Sequence, residues 1–291
     1  MAPMREEAVA ALVRRLPRFR GKWAIAMRYY ERARVTGELG GALAVKLGDG
    51  TVYQLPRASQ MSWAVAFEGG WDRHFEPIWR PHVEAGSLLL DVGASLGLWT
   101  VPLGRAAQAV GAHVWAFEPH PRNKQWLAAN VTANALDDVV SLRPVALGDA
   151  AGIVHMDDGE AETYGAGNAA IATLPGRRGS EVEVVRFDDL ERERRVSFVK
   201  IDVEGYEIRA LRGAMGMIAA DRPVILGEFN PDWVRDRGED LAGFLAELRQ
   251  LGYRTFELRT SRRRPWLPAL EAKLERVDGA GSGGELLCLP R

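Results

Sequence analysis

One ten-residue stretch, Leu-Leu-Leu-Asp-Val-Gly-Ala-Ser-Leu-Gly at positions 88–97, constrains the fold of this 291-residue chain most strongly. An apolar run ends at Asp91, and glycines follow at Gly93 and Gly97. This order predicts a buried strand that turns sharply into a helix, with a turn bare enough for a ligand to lie against it. A second apolar run ends in Glu118. A carboxylate at the tip of a second strand can accept both hydroxyls of a ribose, so the sequence predicts a cofactor that contains a nucleoside.

The details of the turn indicate which cofactor this is. A dinucleotide-binding turn has the pattern G-x-G-x-x-G, which seats a pyrophosphate on the helix N-terminus. Here Ser95 stands where the middle glycine would be expected, and Asp91 precedes the first glycine. An acid at that position repels a pyrophosphate but suits a ligand with an ammonium group. S-adenosylmethionine has an ammonium group, a ribose and no phosphate, so we expect it in preference to NAD.

The composition excludes several classes of protein. Lysine plus arginine (38) nearly balances aspartate plus glutamate (39), so there is no overall charge that favours nucleic acid as a partner. The hydrophobic share of 47% is typical of a globular protein. Cys288 is the single cysteine, which excludes an internal disulfide framework and a cysteine-based metal site.

The N-terminal region is basic but carries no membrane or export signal that we recognise. No apolar run approaches the roughly 20 residues that span a bilayer, and arginines interrupt every candidate signal-peptide core. We therefore expect a cytoplasmic protein without a transmembrane segment. Residues 5–35 hold nine basic and three acidic residues in one or two amphipathic helices. Such a segment could make a weak peripheral contact with an anionic membrane, although a solvated helix face is the favoured interpretation.

The order of the apolar runs predicts the fold class. Strand-like and helix-like segments alternate from the first strand onward, which favours an α/β fold with a mostly parallel sheet and helices on both faces. Residues 1–69 are expected to form an N-terminal extension of helices and a hairpin, and residues 70–291 the sheet domain. Within that domain we expect an inserted hairpin or flap at 150–187 and a mobile loop at 259–284.

Polar residues gather where the predicted strands end. Ligands in parallel sheets bind beyond the carboxyl ends of the strands. The residues at these ends are Asp91, Glu118, Asp149, Asp202, Glu204, Glu228 and Asn230. A collection of carboxylates on one rim of a sheet is harder to obtain by chance than any single motif.

Five linked motifs resemble those of the FkbM-type methyltransferases in order and spacing. They are Asp91-Val-Gly-Ala-Ser-Leu-Gly97, Phe117-Glu-Pro-His-Pro121, Val145-Ala-Leu-Gly-Asp149, Val199-Lys-Ile-Asp-Val-Glu-Gly-Tyr-Glu207 and Pro223-Val-Ile-Leu-Gly-Glu228. The resemblance covers roughly residues 70–259, and Ser95 departs from the asparagine that is usual in that family. It implies S-adenosylmethionine-dependent methyl transfer on a Rossmann-like class I fold with a seven-stranded sheet. Many members act on hydroxyls of natural products or sugars.

The predicted cofactor site follows from these motifs. We expect Glu118 on the ribose, Asp91 near the methionine ammonium and the turn at 145–149 near the adenine. The full predicted set is Asp91, Gly93, Ala94, Ser95, Gly97, Glu118, Pro119, Ala146, Asp149 and Asp202.

An alcohol is a poor nucleophile until its proton is taken, so the reaction calls for a base or a metal. The predicted catalytic candidates are Asp202, Glu204, Glu228 and His155. As an alternative, Asp202, Glu228 and Asn230 together offer oxygen ligands that would suit Mg²⁺.

The resulting prediction is an O-methyltransferase that acts on a sugar-containing or polyketide-like small molecule, with no nucleic-acid partner. The chain could also form a homo-oligomer. Three alternatives stay open at this point: a methyltransferase for nitrogen or carboxylate acceptors, a scaffold protein with a degenerate cofactor fold, and an NAD enzyme.

Overall fold

The computed structural model describes residues 3–16, 21–157, 170–172, 179–262, 270–277 and 284–291. Its strands are β1 (Ala42–Lys46), β2 (Val52–Pro56), β3 (Leu88–Val92), β4 (His113–Phe117), β5 (Val140–Arg143), β6 (Ala146–Leu147), β7 (Gly152–Asp157), β8 (Ala170–Ala172), β9 (Gly179–Val185), β10 (Val196–Ile201), β11 (Val224–Phe229), β12 (Tyr253–Arg262), β13 (Leu270–Arg276) and β14 (Gly284–Pro290).

The α-helices are α1 (Pro3–Arg15), α2 (Gly21–Val35), α3 (Gln60–Glu68), α4 (Glu76–Trp79), α5 (Thr100–Val110), α6 (Pro121–Ala133), α7 (Glu207–Arg212), α8 (Met215–Asp221), α9 (Pro231–Asp236) and α10 (Leu241–Gln250). Short 3₁₀ helices cover Arg73–Phe75, Arg80–His82 and Phe187–Asp189. Within the described part of the chain, no helix combines the length and apolar character that crossing a bilayer requires.

The central sheet has the strand order β13-β12-β14-β11-β10-β3-β4-β5. The five strands from β11 to β5 are parallel, whereas β14, β12 and β13 each pair antiparallel with their neighbours. Every residue of β3 and β10 is buried, as expected for central strands that are covered on both faces. The predicted α/β class with a mostly parallel, helix-covered sheet is thus confirmed.

Two details of the predicted sheet are wrong. The sheet has eight strands rather than seven, because β12 and β13 pair from Phe256↔Arg276 to Arg262↔Leu270. This pairing also contradicts the mobile loop expected at 259–284, since most of its described residues belong to strands. The arginine-rich composition that suggested a loop does not prevent edge strands, which commonly carry charged side chains. Residues 263–269 and 278–283 of that predicted loop lie outside the described residues.

Helices cover the sheet in two layers. The front layer consists of α5, α6 and the N-terminal extension, and it packs on Leu89, Val114 and Phe198. The back layer consists of α7, α8 and α10, and it packs on Leu88 and Leu90. Side chains of neighbouring residues on β3 therefore alternate between the two cores, as the strand period of two requires.

The N-terminal extension is joined to the sheet domain by two asparagines, Asn130 on α6 and Asn134 directly after its end. The predicted hairpin is present as β1 and β2. Asn134 accepts a hydrogen bond from the N–H of Val52 (3.0 Å) and donates one to its carbonyl (2.7 Å). Asn130 accepts from the N–H of Gln54 (2.6 Å) and donates to the carbonyl of Leu96 (2.8 Å). The edge of the hairpin is thereby tied to the turn that precedes α5.

The expected insertion at 150–187 forms a small separate sheet. Its order is β6-β9-β7-β8, and β7 pairs antiparallel with both β8 and β9. The hairpin prediction agrees with the β7–β9 pairing, while 158–169 and 173–178 lie outside the described residues. The first strand of this small sheet is β6, which follows β5 along the chain and pairs with β9.

Two short helices, α7 and α8, follow β10. A Cβ atom on Gly213, between them, would lie 1.9 Å from the carbonyl oxygen of Gly148. The break between α7 and α8 therefore lies where the backbone at Gly213 comes very close to Gly148, in the turn after β6. The carboxylate of Asp188 accepts hydrogen bonds from the N–H groups of Gly216 (2.8 Å) and Met217 (2.9 Å), which satisfies the first turn of α8.

Replacing Gly93 with alanine is expected to destabilise the fold by more than about 3 kcal/mol. Gly93 has φ +88°, and an added Cβ would lie 1.9 Å from the carbonyl oxygen of Asp202. The control is Gly86→Ala, which has φ +69° but open space around the added Cβ, and it should cost only about 1–2 kcal/mol. Urea denaturation of both variants measures the difference. If both variants lost the same free energy of unfolding, the close approach of Gly93 to Asp202 would not be the reason for a glycine at this position.

Candidate active site

A cleft lies at the carboxyl ends of β3, β4 and β10, between the central sheet and the small sheet. It encloses roughly 760 Å³ of space between the atoms, open solvent at its mouth included. Its described lining residues are Met61, Val92, Gly93, Ser95, Phe117, Glu118, Pro119, Asn123, Val145, Ala146, Leu147, Met156, Asp202, Val203, Glu204 and Tyr206.

The glycine turn forms one wall of the cleft. The N–H groups of Gly93 and Ala94 both donate to the carbonyl of Phe117, each at 3.0 Å, which joins the ends of β3 and β4. Ser95 adopts a left-handed conformation with φ +49°, and its N–H donates to Oε2 of Glu118 at 2.8 Å. The turn thus holds the carboxylate that the sequence predicted as the ribose ligand.

Glu118 is fixed from both sides and lies on the cleft wall. Its Oε1 accepts a hydrogen bond from the N–H of His120 at 2.8 Å, and the side chain of Asn123 also bonds to it. The residue is only 5% exposed. A carboxylate has about four acceptor positions, and the N–H groups of Ser95 and His120 and the side chain of Asn123 use three of them. About one position is left, which suits one hydroxyl of a ribose.

Another part of the cleft is mostly apolar, and its residues come from four separate segments of the chain. Val145 and Leu147 come from the turn around β6, Met156 from the small sheet and Tyr206 from the segment before α7. Met61 is contributed by α3 of the N-terminal extension. This surface is suited to a flat heteroaromatic ring next to the carboxylate of Glu118.

Two acids form the third edge of the cleft. Asp202 and Glu204 both line it, and Glu204 has a left-handed backbone with φ +55°. The turn that carries them is held by Glu207, whose Oε1 accepts hydrogen bonds from the N–H groups of Val203 and Gly205, each at 3.0 Å. A non-glycine residue in this conformation is costly and is retained mainly where the surroundings or the chemistry require it.

Beyond Asp202, a buried lysine lies among carboxylates. The Nζ of Lys200 is 3.7 Å from Oδ2 of Asp202 and 3.8 Å from Oε2 of Glu285. Asp72 and Glu228 also interact electrostatically with this ammonium group. Burial is the largest cause that raises the pKa of Glu228, and Asp202 raises it further, while Lys200 lowers it.

Seven of the predicted site residues line the cleft: Gly93, Ser95, Glu118, Pro119, Ala146, Asp202 and Glu204. Ala94 and Gly97 belong to the same turn without lining it. Asp91 lies beneath it, 1% exposed, where it accepts a hydrogen bond from Oγ1 of Thr100 at 2.5 Å. The structure therefore places Asp91 under the turn rather than against a ligand.

Two other predicted residues are not brought to the cleft. Asp149 is exposed on the turn after β6. His155 is exposed on β7, and its Nε2 lies 3.4 Å from Oε1 of Glu181. The neighbouring residue on that strand, Met156, is the one that faces the cleft, because side chains alternate along a strand.

The predicted magnesium ligands do not form a metal site. Asn230 uses its Oδ1 to cap α9, accepting from the N–H groups of Asp232 (3.0 Å) and Trp233 (3.3 Å). The described residues contain no group of three His, Cys, Asp or Glu side chains arranged to hold a metal ion. Asp202 and Glu228 interact instead with the ammonium of Lys200. The donor set thus does not fit Mg²⁺.

The family of the chain follows from its match to a family model. Residues 91–255, more than half of the sequence, match the family model described as the methyltransferase FkbM domain. The chain belongs to the FkbM methyltransferase family. The matched segment begins at Asp91 and contains the glycine turn, Glu118 and the acidic edge of the cleft. No curated protein matches the chain in sequence.

Solved structures that are similar to this chain include three methyltransferases. A methyltransferase FkbM from Methylobacillus flagellatus is 18% identical, with a TM-score of 0.45 over 79% of this chain and 54% of that one. This chain therefore spans about half the length of that protein. An O-methyltransferase from Thermotoga maritima is 16% identical, with a TM-score of 0.44 over 88% and 80% of the two chains. A precorrin-6y C5,15-methyltransferase from Geobacter metallireducens is 11% identical, with a TM-score of 0.38 over 76% and 92%.

The cleft of the FkbM domain has the chemical groups that S-adenosylmethionine, the cofactor of this family, requires. Glu118 can accept from a ribose hydroxyl, the apolar surface around Leu147 can cover an adenine, and Asp202 offers a carboxylate for an ammonium or sulfonium group. The cofactor carries no phosphate, in keeping with an acidic rather than a basic cleft.

Sequence reasoning missed nine residues that line the cleft of the FkbM domain. Asn123 left a usable signal, since it lies in the first turn of the helix that follows Glu118. Met61 left none, because it comes from a helix that precedes the glycine turn by some 30 residues and reaches the cleft only through tertiary packing. The apolar residues of the small sheet also had no signal, because the facing side of its strands depends on how the sheet packs.

The stability of the FkbM domain should fall as the pH rises towards neutrality. Burial raises the pKa of Glu118 to about 7 from an ordinary 4.5, although the N–H groups of His120 and Ser95 oppose the shift. The folded chain then binds this proton more tightly than the unfolded chain. The group therefore stabilises the fold below pH 4.5, and the contribution is lost as the pH passes through about 7.

Urea denaturation between pH 4.5 and 8 measures this contribution, which should amount to at most about 3 kcal/mol. Glu118→Gln should remove that part of the pH dependence, whereas the exposed Glu193→Gln should leave it unchanged. The same pH dependence in Glu118→Gln and in the unmodified chain would contradict the assignment.

Proposed function

We propose that this chain transfers the methyl group of S-adenosylmethionine to a hydroxyl of a sugar-containing or polyketide-like small molecule. The observation that supports it most is that Asp202 and Glu204 line the same cleft as Glu118, the predicted ribose ligand. The cleft thus suits the nucleoside and also offers carboxylates where an acceptor would approach.

The cofactor, when bound, supplies a methyl group on a positively charged sulfur that is open to in-line displacement. The chain's own contribution is mainly positioning, because orientation of the two reactants lowers the barrier substantially. Glu118 and Asn123 hold the ribose, and the surface around Leu147 and Met156 covers the adenine. This leaves the acidic edge at Asp202 for the reacting end.

A base takes the proton of the acceptor hydroxyl. Asp202, Glu204 and Glu228 remain the candidates, and we assign the role to Glu228. Burial is the largest cause that raises its pKa above the ordinary value, and a raised pKa makes a carboxylate a better proton acceptor. His155 is not retained, because it lies on the outward side of β7.

The carboxylates at the edge of the cleft also disfavour one class of methyl acceptor. A carboxylate acceptor would be repelled by Asp202, Glu204 and Glu228, so the geometry supports a hydroxyl or an amine instead. The cytoplasmic location, the homo-oligomer and the weak contact of the basic N-terminal helices with a membrane surface stay predictions from the sequence.

An acceptor panel with isotopically labelled S-adenosylmethionine tests the proposal. The panel holds glycosides and hydroxylated polyketides, each paired with an analogue in which an amine or a carboxylate replaces the hydroxyl. Mass spectrometry should find the labelled methyl on oxygen in the hydroxylated compounds alone. Transfer only to amines or carboxylates would overturn the O-methyltransferase proposal, and binding of the cofactor with transfer to no acceptor would favour the scaffold alternative.

A further inference from the structure

Lys200 is a buried cation next to the cleft, and none of the proposed steps of methyl transfer involves it. The residue is 1% exposed, and its Nζ has no hydrogen-bond partner among the described residues. The ammonium lies 3.7 Å from Asp202, 3.8 Å from Glu285 and 5.1 Å from the centre of the Trp99 indole ring. Burial of an ammonium is costly unless opposite charges compensate it, so its neighbours require an explanation.

The strand register explains why these charges meet. Glu228 on β11 is paired directly with Glu285 on the antiparallel strand β14, and like charges directly opposite each other are destabilising. Lys200 on β10 is paired with Leu226, two residues before Glu228. Because side chains alternate along a strand, Lys200 lies on the same face of the sheet as both glutamates.

Five acids interact electrostatically with this lysine. They come from five different segments of the chain and are Asp72 before the 3₁₀ helix, Asp91 on β3, Asp202 after β10, Glu228 on β11 and Glu285 on β14. Burial alone would lower the pKa of Lys200, but the carboxylates, with Glu285 first, raise it above its ordinary value. These carboxylates therefore favour the ammonium form of the lysine. A second basic side chain, His74, also interacts electrostatically with Asp72.

We propose that Lys200 is a positioning residue whose ammonium keeps Glu228 in its ionised form beside the cleft, ready to accept the acceptor's proton. This inference rests on the proposed function, in which the hydroxyl oxygen forms a bond to the methyl carbon. The bond from that carbon to sulfur breaks, its electron pair stays on the sulfur as a thioether, and the hydroxyl proton passes to a carboxylate oxygen of Glu228. A protonated Glu228 could not take that proton.

The electrostatic balance shows why the lysine matters for this step. Burial is the largest cause that raises the pKa of Glu228, and Asp202 and Asp72 raise it further, whereas Lys200 lowers it. The pKa of Glu285 is raised by burial to about 7, and Lys200 lowers this one too. Removal of the ammonium would leave both glutamates protonated to higher pH.

Carboxyl ¹³C NMR of the full chain with labelled glutamate tests this without an acceptor. The Glu228 resonance is assigned by its loss in Glu228→Gln. In Lys200→Met, which keeps the length of the side chain without its charge, the pKa of Glu228 should rise by about one unit or more. In Lys200→Arg, which keeps the charge, it should stay near the value of the unmodified chain. A purely structural lysine would change the thermal stability without moving this titration.

A second variant keeps the test decisive if Lys200→Met folds poorly. In Lys200→Met/Glu285→Gln, the loss of one anion compensates the loss of the cation, so the pKa of Glu228 should return towards that of the unmodified chain. An unchanged pKa of Glu228 in Lys200→Met, or in the double variant compared with Glu285→Gln alone, would overturn the proposal.

Titration with S-adenosylhomocysteine separates this inference from the proposed function. The unmodified chain should bind it whatever the ionisation state of Glu228, because Glu228 is not among the described residues that line the cleft. If the unmodified chain does not bind S-adenosylhomocysteine, the proposed function is wrong. The NMR titration would then still show whether Lys200 controls the ionisation of Glu228.

Discussion

Replacement of Glu118 with alanine is expected to weaken the binding of S-adenosylhomocysteine about 10- to 100-fold, while the chain stays folded. The reason is that a hydrogen bond to a charged group contributes about 1.5–3 kcal/mol, and the ribose would lose the one that Glu118 still has room to accept. The variant also releases the N–H groups of Ser95 and His120 that now donate to this side chain. Isothermal titration calorimetry measures the affinity, and circular dichroism checks the fold.

The matched control for this prediction is Glu193→Ala, an exposed glutamate distant from the cleft. Its affinity should equal that of the unmodified chain. Unchanged affinity in a folded Glu118→Ala variant would show that the ribose does not lie against this carboxylate. The proposed orientation of the cofactor in the cleft would then be wrong.

The second large effect is expected for Glu228→Gln, which should lower the turnover of a hydroxyl acceptor by about 100- to 10,000-fold. The amide has nearly the shape of the carboxylate but cannot accept the proton. Binding of S-adenosylhomocysteine should change by less than about threefold, under 1 kcal/mol, since Glu228 does not line the cleft in the described structure. Single-turnover assays with an acceptor from the panel separate the chemical step from binding.

Glu275→Gln is the control, because Glu275 is an exposed glutamate of the same sheet that pairs with Arg259. It should leave turnover unchanged. Normal turnover in Glu228→Gln would transfer the role of base to Asp202 or Glu204. It would also remove the functional reason for Lys200 to hold Glu228 as a carboxylate.

The residues that local sequence brings together were predicted to lie close to one another, and they line the same cleft. Gly93, Ser95 and Glu118 lie within one strand–turn–helix unit and the strand after it, so their spacing along the chain fixes their proximity. The same holds for Asp202 and Glu204 after β10. Such short-range geometry is set by backbone conformation, which glycine and strand-end positions reveal.

The parts that depend on strand register were not predicted. Lys200, Glu228 and Glu285 meet because β14 inserts antiparallel between β11 and β12, and no local pattern specifies that position. Spacing alone made Glu228 and Asn230 look like a metal-binding pair. The structure instead shows that Asn230 caps a helix and that a lysine side chain lies where a cation had been expected.

The sequence also did not show which residues of a strand face the cleft. His155 and Met156 are neighbours, and the sequence offered the histidine as the more reactive candidate. Which of the two faces the cleft depends on the packing of the small sheet, and the structure turns Met156 inward. Asp91 shows the converse case, because its motif position was recognised but its role is to bind Thr100 beneath the turn.

The central claim is that the cleft binds S-adenosylmethionine, and calorimetric titration of the unmodified chain tests it most directly. Titrations with S-adenosylhomocysteine and with NADH are compared under the same conditions. The account predicts micromolar binding of S-adenosylhomocysteine, about −8 kcal/mol, and no binding of NADH. Binding of NADH, or of neither compound, would contradict the assignment of Glu118 and the glycine turn to this cofactor.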